Sequence, residues 1–225
     1  MDASIAEATP EEVPITRERD KEFWYEDGNV ILVAGNIEFR IFKGILTDHS
    51  PVFKDVFSPP QPNSTPSETP VSTVHLSDSP LDIWHILRIH MPKAEPNPFK
   101  YKDAGPSFNT ISASIRLGHK YQMSSLVGHA IDYLKEHFLT MYDDWEKYPT
   151  YGLPAFDDVH AIAVVNFART FDQPLLLPST LLACTVLPGR ILVAGCKCED
   201  GSHETLAMED LTRCIHTFSR ISYGS

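Results

Sequence analysis

Residues 29–57 read NVILVAGNIEFRIFKGILTDHSPVFKDVF, and the reading of this stretch decides the fold. Val30 to Val33 is an aliphatic, β-prone run, and Gly35-Asn36 is a turn dipeptide of the kind that supplies positive φ. Ile37, Phe39 and Ile41 then alternate with Glu38 and Arg40 as in a half-buried strand. The pattern predicts a hairpin. Beyond it Phe42, Ile45 and Leu46 recur at helical spacing. Ser50-Pro51 suits the start of a second helix, whose apolar face is Val52, Phe53, Val56 and Phe57.

Working outward, Ser58 to Ser72 holds Pro59, Pro60, Pro62, Pro66 and Pro70 among Ser and Thr, which excludes a helix or a central strand and predicts an inserted surface loop. Ser58, Thr65 and Thr69 stand directly before prolines, the arrangement that proline-directed kinases read. Val71 to Leu76 predicts a short strand. Ser79-Pro80 caps a largely apolar helix that Pro92 stops, and Phe108, Ile111 and Ile115 with Leu126, Ala130, Leu134 and Phe138 predict two antiparallel helices, the second capped by Ser124.

These residues carry a resemblance. The order of hairpin, Lys43, Leu46, Ser50, Phe53 and Phe57 resembles the opening of a BTB/POZ domain, whose pattern is roughly D-V-x-L, a hairpin, F-x-x-H-K-x-x-L, then S-x-x-F-x-x-x-F. Val74-His75-Leu76 resembles the family's third strand, and Leu117 to Met123 followed by Leu126 resembles its closing helical pair. Asn29 stands where the family usually has Asp, and Phe42 where it usually has His. The resemblance implies an α+β fold, a small sheet flanked by helical hairpins, and the whole chain resembles the short fungal BTB proteins with a helical C-terminal extension. On this reading residues 1–20 form a disordered acidic tail, residues 21–138 the BTB/POZ-like domain with its Pro/Ser/Thr-rich insert at 58–72, and residues 139–225 the helical extension.

The implied role is a protein–protein interaction module: homodimerisation and partner recruitment as a scaffold or adaptor. Many relatives dock on a cullin scaffold as substrate adaptors of a ubiquitin ligase, and others act in transcriptional complexes. In many relatives a buried Asp meets a basic residue in a charged pocket near the dimer interface, and the matching positions are Asn29 and Lys43. Relatives that bind a cullin place a hydrophobic residue two before a Glu in the loop after the third helix. Lys93 precedes Glu95 there, leaving Phe99 and Tyr101 as substitute anchors. Phe23, Trp24 and Tyr25 complete the candidate partner-binding residues, because three adjacent aromatics cannot all face one core.

Charge and chemistry narrow the function classes. A formal charge of −11 disfavours phosphate backbones and anionic lipid, so neither nucleic acid nor membrane is an expected partner. The first 28 residues lack the apolar run of a signal peptide, and the longest apolar stretch, Leu175 to Leu187, falls short of the ~20 residues that span a bilayer. An intracellular protein of cytoplasm or nucleus is expected, with its four cysteines reduced.

No nucleophile elbow, P-loop, dinucleotide fingerprint or zincin helix is present, so no catalytic residue, cofactor or metal is assigned. Asp143-Asp144 and Asp157-Asp158 read as helix starts. Cys196 and Cys198, with His203, Cys214 and His216 near in sequence, offer a zinc alternative. The C-x-C spacing is read against it, as sending the two thiols of an extended segment to opposite faces. In the extension Val159, Ile162, Ala163, Asn166 and Phe167 predict one helix face, prolines at 174, 178 and 188 predict short helical pieces, and Met208 to Ile215 a last helix with Asp210 and Arg213 on its polar side.

Overall fold

The structure is a computed structural model that describes residues 16–58, 71–91, 99, 105–143 and 156–223. The predicted hairpin is strands β2 (Val30–Ala34) and β3 (Ile37–Ile41), antiparallel, with Leu32 opposite Phe39 and Val30 opposite Ile41. Gly35 turns the chain at φ +54°, a left-handed conformation that side chains with a Cβ adopt with strain. Parallel strands flank the hairpin on both sides: β1 (Glu18–Trp24) on β3 and β4 (Ser72–Leu76) on β2, giving the order β1-β3-β2-β4.

Strand β1 corrects the expected boundary of the tail, since residues 18–20 are already in the sheet. Its pairing breaks between Arg19 and Trp24, where the Asp20 carboxylate accepts the backbone N–H of Glu22 at 2.9 Å and of Phe23 at 2.7 Å. A side chain that binds the backbone two and three residues on competes with the ladder and bends the strand.

After the hairpin come α1 (Lys43–His49) and α2 (Pro51–Val56), then α3 (Pro80–His90) behind β4, and the antiparallel pair α4 (Phe108–Lys120) and α5 (Ser124–Asp143). Ser124 is the first residue of α5, and the Met123 carbonyl accepts the first helical hydrogen bond, so Ser124 is not the cap. Helix α5 runs through the expected boundary at 138/139, which places Asp143 at a helix end instead of a start. A single 3-10 turn at Asp158–His160 leads into α6 (Ala161–Thr170), a second at Pro174–Leu176 into α7 (Leu177–Thr185), and α8 (Gly189–Ala194) follows. The extension is not purely helical: β5 (Cys196–Lys197) and β6 (His203–Glu204) form a small hairpin before α9 (Met208–Tyr223).

Three apolar clusters hold these elements. The sheet, α1, α2 and α3 enclose Phe23, Leu32, Phe39, Leu46, Phe53 and Leu87. Phe108, Ile111, Leu134 and Phe138 of α4 and α5 pack on Val164 and Phe167 of α6, while Ile162 and Val165 of α6 pack on Cys184, Leu192 and Cys214. Helix α6 therefore has two apolar faces, not the single one expected, as befits a helix enclosed on both sides.

Polar links cross between the clusters. Arg116 of α4 donates to Asp82 of α3 at 3.2 Å, to Asp200 in the β5–β6 turn, and to Ser202 at 3.3 Å, so one guanidinium ties the hairpin of the extension to two helices. Asn109 donates to the neighbouring Glu199 at 2.5 Å. Asp210 is 2% exposed and accepts from Arg169 of α6 and from Arg213, so it faces inward and not, as expected, the polar side of α9.

Burial pushes the Asp82 carboxyl up to about 6 against the pull of Arg116, with Asp200, Asp78 and Glu199 adding to the rise. Burial acts on Asp200 in the same direction, yet the hydrogen bonds from Arg116 and Ser202 outweigh it and hold its carboxyl below the ordinary range.

Leu46→Ala and Phe53→Ala are each expected to cost about 2 to 5 kcal/mol in a denaturant titration, because both side chains are enclosed and truncation leaves a cavity. Near-wild-type midpoints for both would contradict the packing described. Arg116→Ala is expected to cost about 3 kcal/mol at pH 7, since it strands a buried carboxylate.

The raised Asp82 makes a stability contribution that is present below about pH 4 and lost as pH rises through about 6. His90 works oppositely: burial lowers it to about 4, so its contribution is lost as pH falls from 6.5 to about 4. The comparison of Asp82→Asn with wild type isolates the first effect. The variant's thermal midpoint is expected to rise relative to wild type between pH 4 and 7, and a constant offset would show that Asp82 does not titrate in that window.

Candidate interaction surface

The aromatic triplet at the end of β1 divides among three environments. Phe23 is fully enclosed in the first cluster. Trp24 is half-buried, with the Arg19 guanidinium 4.4 Å from its ring, and its Nε1–H is enclosed with no acceptor among the described residues. Tyr25 is half-buried with its ring tilted on Phe42 at 5.2 Å. Beside them Arg88 forks onto the Glu22 carboxylate at 2.9 Å and lies 3.8 Å over Trp84, joining α3 to the outer strand. Trp24 and Tyr25 thus line the open edge of the sheet, while Phe23 fastens it.

Asn29 and Lys43 meet through the backbone. Phe42 occupies the N-cap of α1, and its side chain makes no capping hydrogen bond. The Asn29 carboxamide oxygen supplies that acceptor from across the chain, taking the Lys43 N–H at 2.9 Å. Both side chains are exposed. An uncharged carboxamide is sufficient for this capping role, which explains how the helix starts cleanly with Asn in the position.

Ser50 holds the two early helices against the far end of the domain. It is 1% exposed, its Oγ accepts the Phe53 N–H at 3.0 Å as the cap of α2, and its hydroxyl donates to the Tyr121 carbonyl at 2.6 Å. Phe53 then stacks on Tyr121 at 4.3 Å and on Phe57 at 5.5 Å. At the end of α1 His49 stacks on His90 at 4.3 Å. What α1 and α2 leave to solvent is a mixed face of Lys43, Asp48, Lys54 and Asp55 with Val56, which is half exposed. Among these residues only Val56 is a large exposed apolar group.

Phe99 is half-buried between the first and second clusters, its ring 6.2 Å from His129. Tyr101, Lys93, Glu95, Thr65 and Thr69 lie outside the described residues. Ser58 is exposed and donates to the Lys54 carbonyl at 2.8 Å.

The C-x-C expectation needs correction. Cys196 and Cys198 are both buried while Lys197 between them is exposed, because residues two apart in an extended chain share a face. Burial, with Cys198 beside it, pushes the Cys196 thiol up to about 12. Among the described residues no three potential ligands gather at a metal-binding distance. The signal for this arrangement was the spacing itself, misread. The Ser50–Tyr121 and Asn29–Lys43 bonds had no local signal at all.

Ser50→Ala is expected to cost about 1 to 3 kcal/mol, since it removes a cap and orphans a buried carbonyl. A loss confined to a few tenths of a kcal/mol in chemical denaturation would show that the Tyr121 carbonyl finds another donor.

Among the described residues no helix is long and apolar enough to cross a membrane. Comparison with curated proteins finds no match. The sequence profile of the BTB/POZ domain matches residues 22–138, more than half of the chain. That span contains the sheet from within β1, the helices α1 to α4 and most of α5, in the α+β arrangement described above. BTB/POZ domains bind protein partners and often self-associate. On the matched span and the fold together, the chain belongs to the BTB/POZ domain family.

Proposed function

We propose that the protein is a self-associating scaffold that recruits protein partners through its BTB/POZ domain, with the C-terminal extension fixed to the domain as a second recruiting surface. The observation that carries this reading is the exposed face of α1 and α2, held rigidly by Ser50 while leaving Lys43, Lys54, Asp55 and Val56 to solvent. A pre-organised face needs little ordering on association. Its mixed charge and single large apolar group favour a reversible contact over a permanent one.

A substrate adaptor of a cullin-type ligase is the next reading, and a component of a transcriptional complex another. The packing of Phe99 weighs against the adaptor, since a side chain engaged between two internal clusters is poorly available as an anchor. Lacking an anchor removes about 2 kcal/mol of binding, a loss of roughly thirtyfold.

Light scattering over a concentration series is expected to show a dimer at micromolar chain that dissociates toward nanomolar. A dimer persisting at nanomolar chain and disrupted by Lys43→Ala would replace this reading with an obligate dimer built on the charged pocket. In a calorimetric titration, a cullin scaffold is expected to bind no tighter than micromolar. Nanomolar affinity insensitive to Phe99→Ala and Tyr101→Ala would move the adaptor ahead of the scaffold.

A further inference from the structure

The C-terminal extension brings two cysteines together from distant points in the chain. Cys184 sits in the last turn of α7 and Cys214 in the middle of α9, both within the third apolar cluster at 0% and 1% exposure. The two thiols perturb one another's ionisation, as groups in close proximity do. Cys214 in turn reaches the carbonyl of Leu181, one turn before Cys184, at 3.7 Å. The two thiols thus lie near one another on facing helices, within the third apolar cluster and close to the Asp210 carboxylate.

A cleft of about 480 Å³ opens between the same two helices, lined by Leu181, Leu182, Thr212, Arg213 and His216 together with Cys214. Cys214, though only 1% exposed, lines this cleft, and Cys184 does not. The neighbouring Cys184 thiol draws the Cys214 thiol down against burial and the Asp210 carboxylate, which both oppose it, while Cys184 is pushed up, so Cys214 is the one that ionises first.

We propose that Cys184 and Cys214 form a dithiol–disulfide site whose reactant is a hydroperoxide, and that the oxidised site fastens α9 to α7. The Cys214 thiolate attacks the peroxide O–O bond, and the departing oxygen takes up a proton to leave as water or alcohol, giving a sulfenic acid on Cys214. The Cys184 sulfur attacks the Cys214 sulfur, the S–S bond forms, and the hydroxyl leaves with the Cys184 proton as a second water. Two thiols lose two electrons and two protons, and the peroxide gains them. The pair Cys196 and Cys198 is the rival within the chain. Its members are only two residues apart on one extended segment, where closing a disulfide distorts the backbone of the β5 strand.

Trypsin places each cysteine on its own peptide, because Arg190, Lys197 and Arg213 separate them in sequence. The full chain is treated with hydrogen peroxide while folded, alkylated in denaturant and digested without reduction. The expected product is a cross-linked pair carrying Cys184 and Cys214, lighter by two hydrogens, with Cys196 and Cys198 alkylated and the link reversed by dithiothreitol. Cys196→Ala and Cys198→Ala are expected to retain the link, and Cys214→Ser to abolish it. The oxidised chain is expected to gain roughly 5 to 10 °C in thermal midpoint, as a bridge across a long loop restricts the unfolded chain. A link between Cys196 and Cys198 instead, a Cys214 that stops at sulfenic or sulfinic acid, or four alkylated thiols after exposure would each overturn the proposal.

Discussion

The Arg116 guanidinium carries the strongest polar link between the two halves of the chain. It lies on α4, inside the family domain, and binds Asp82 of α3 on one side and Asp200 of the extension's hairpin on the other. Neither carboxylate has much solvent to fall back on, with both side chains at 8% exposure. Burial above all, with the second carboxylate adding to it, raises the Asp82 carboxyl, while hydrogen bonds from Arg116 and Ser202 let Asp200 keep its charge. The contact is worth less as energy than as position, because a misplaced hairpin would leave a carboxylate buried without a partner. Gly195 reinforces the same constraint: it has φ +86°, and a Cβ there would lie 2.3 Å from the Glu204 carbonyl.

Helix α6 does for the apolar interior what Arg116 does for the polar links. Its sequence AIAVVNFART has small and β-branched groups around most of its circumference, and the helix is enclosed between α4–α5 and α7–α9. The extension thus shares an interior with the BTB/POZ fold through a common wall. A partner bound to either part meets one continuous body in the region that α4, α5 and α6 occupy.

Much of this was legible in sequence, for a physical reason. The hairpin, the capped starts of α2 and α3, and the stripes of α4 and α5 are local patterns in which residues two, three or four apart share a face. What escaped depends on partners far away. Strand β1 reads Glu-Arg-Asp-Lys-Glu-Phe-Trp, with no alternation, since its bend at Asp20 interrupts the ladder. Asp82, Asp200 and Asp210 look like surface acids until their arginines are located. The two apolar faces of α6 leave too little polar side to complete an amphipathic stripe, so periodicity in the sequence marks only one of them. Of the surface residues, Asn29 and Lys43 were found by family position, but the capping bond that joins them requires the fold. Cys196 and Cys198 were misplaced by a wrong reading of strand alternation.

The parallel outer strands of the sheet have a consequence in time. A chain made from its N-terminus completes β1 first, yet among the described residues β1 pairs with β3 alone, and the antiparallel turn that builds β3 pairs it with β2. The hairpin closes locally and fast, whereas β4 must await α1, α2 and the insert before it reaches β2. The sheet therefore grows outward from its middle in both directions. Its earliest-synthesised strand, carrying Phe23 and Trp24, stays unpaired until the hairpin gives it an edge to join.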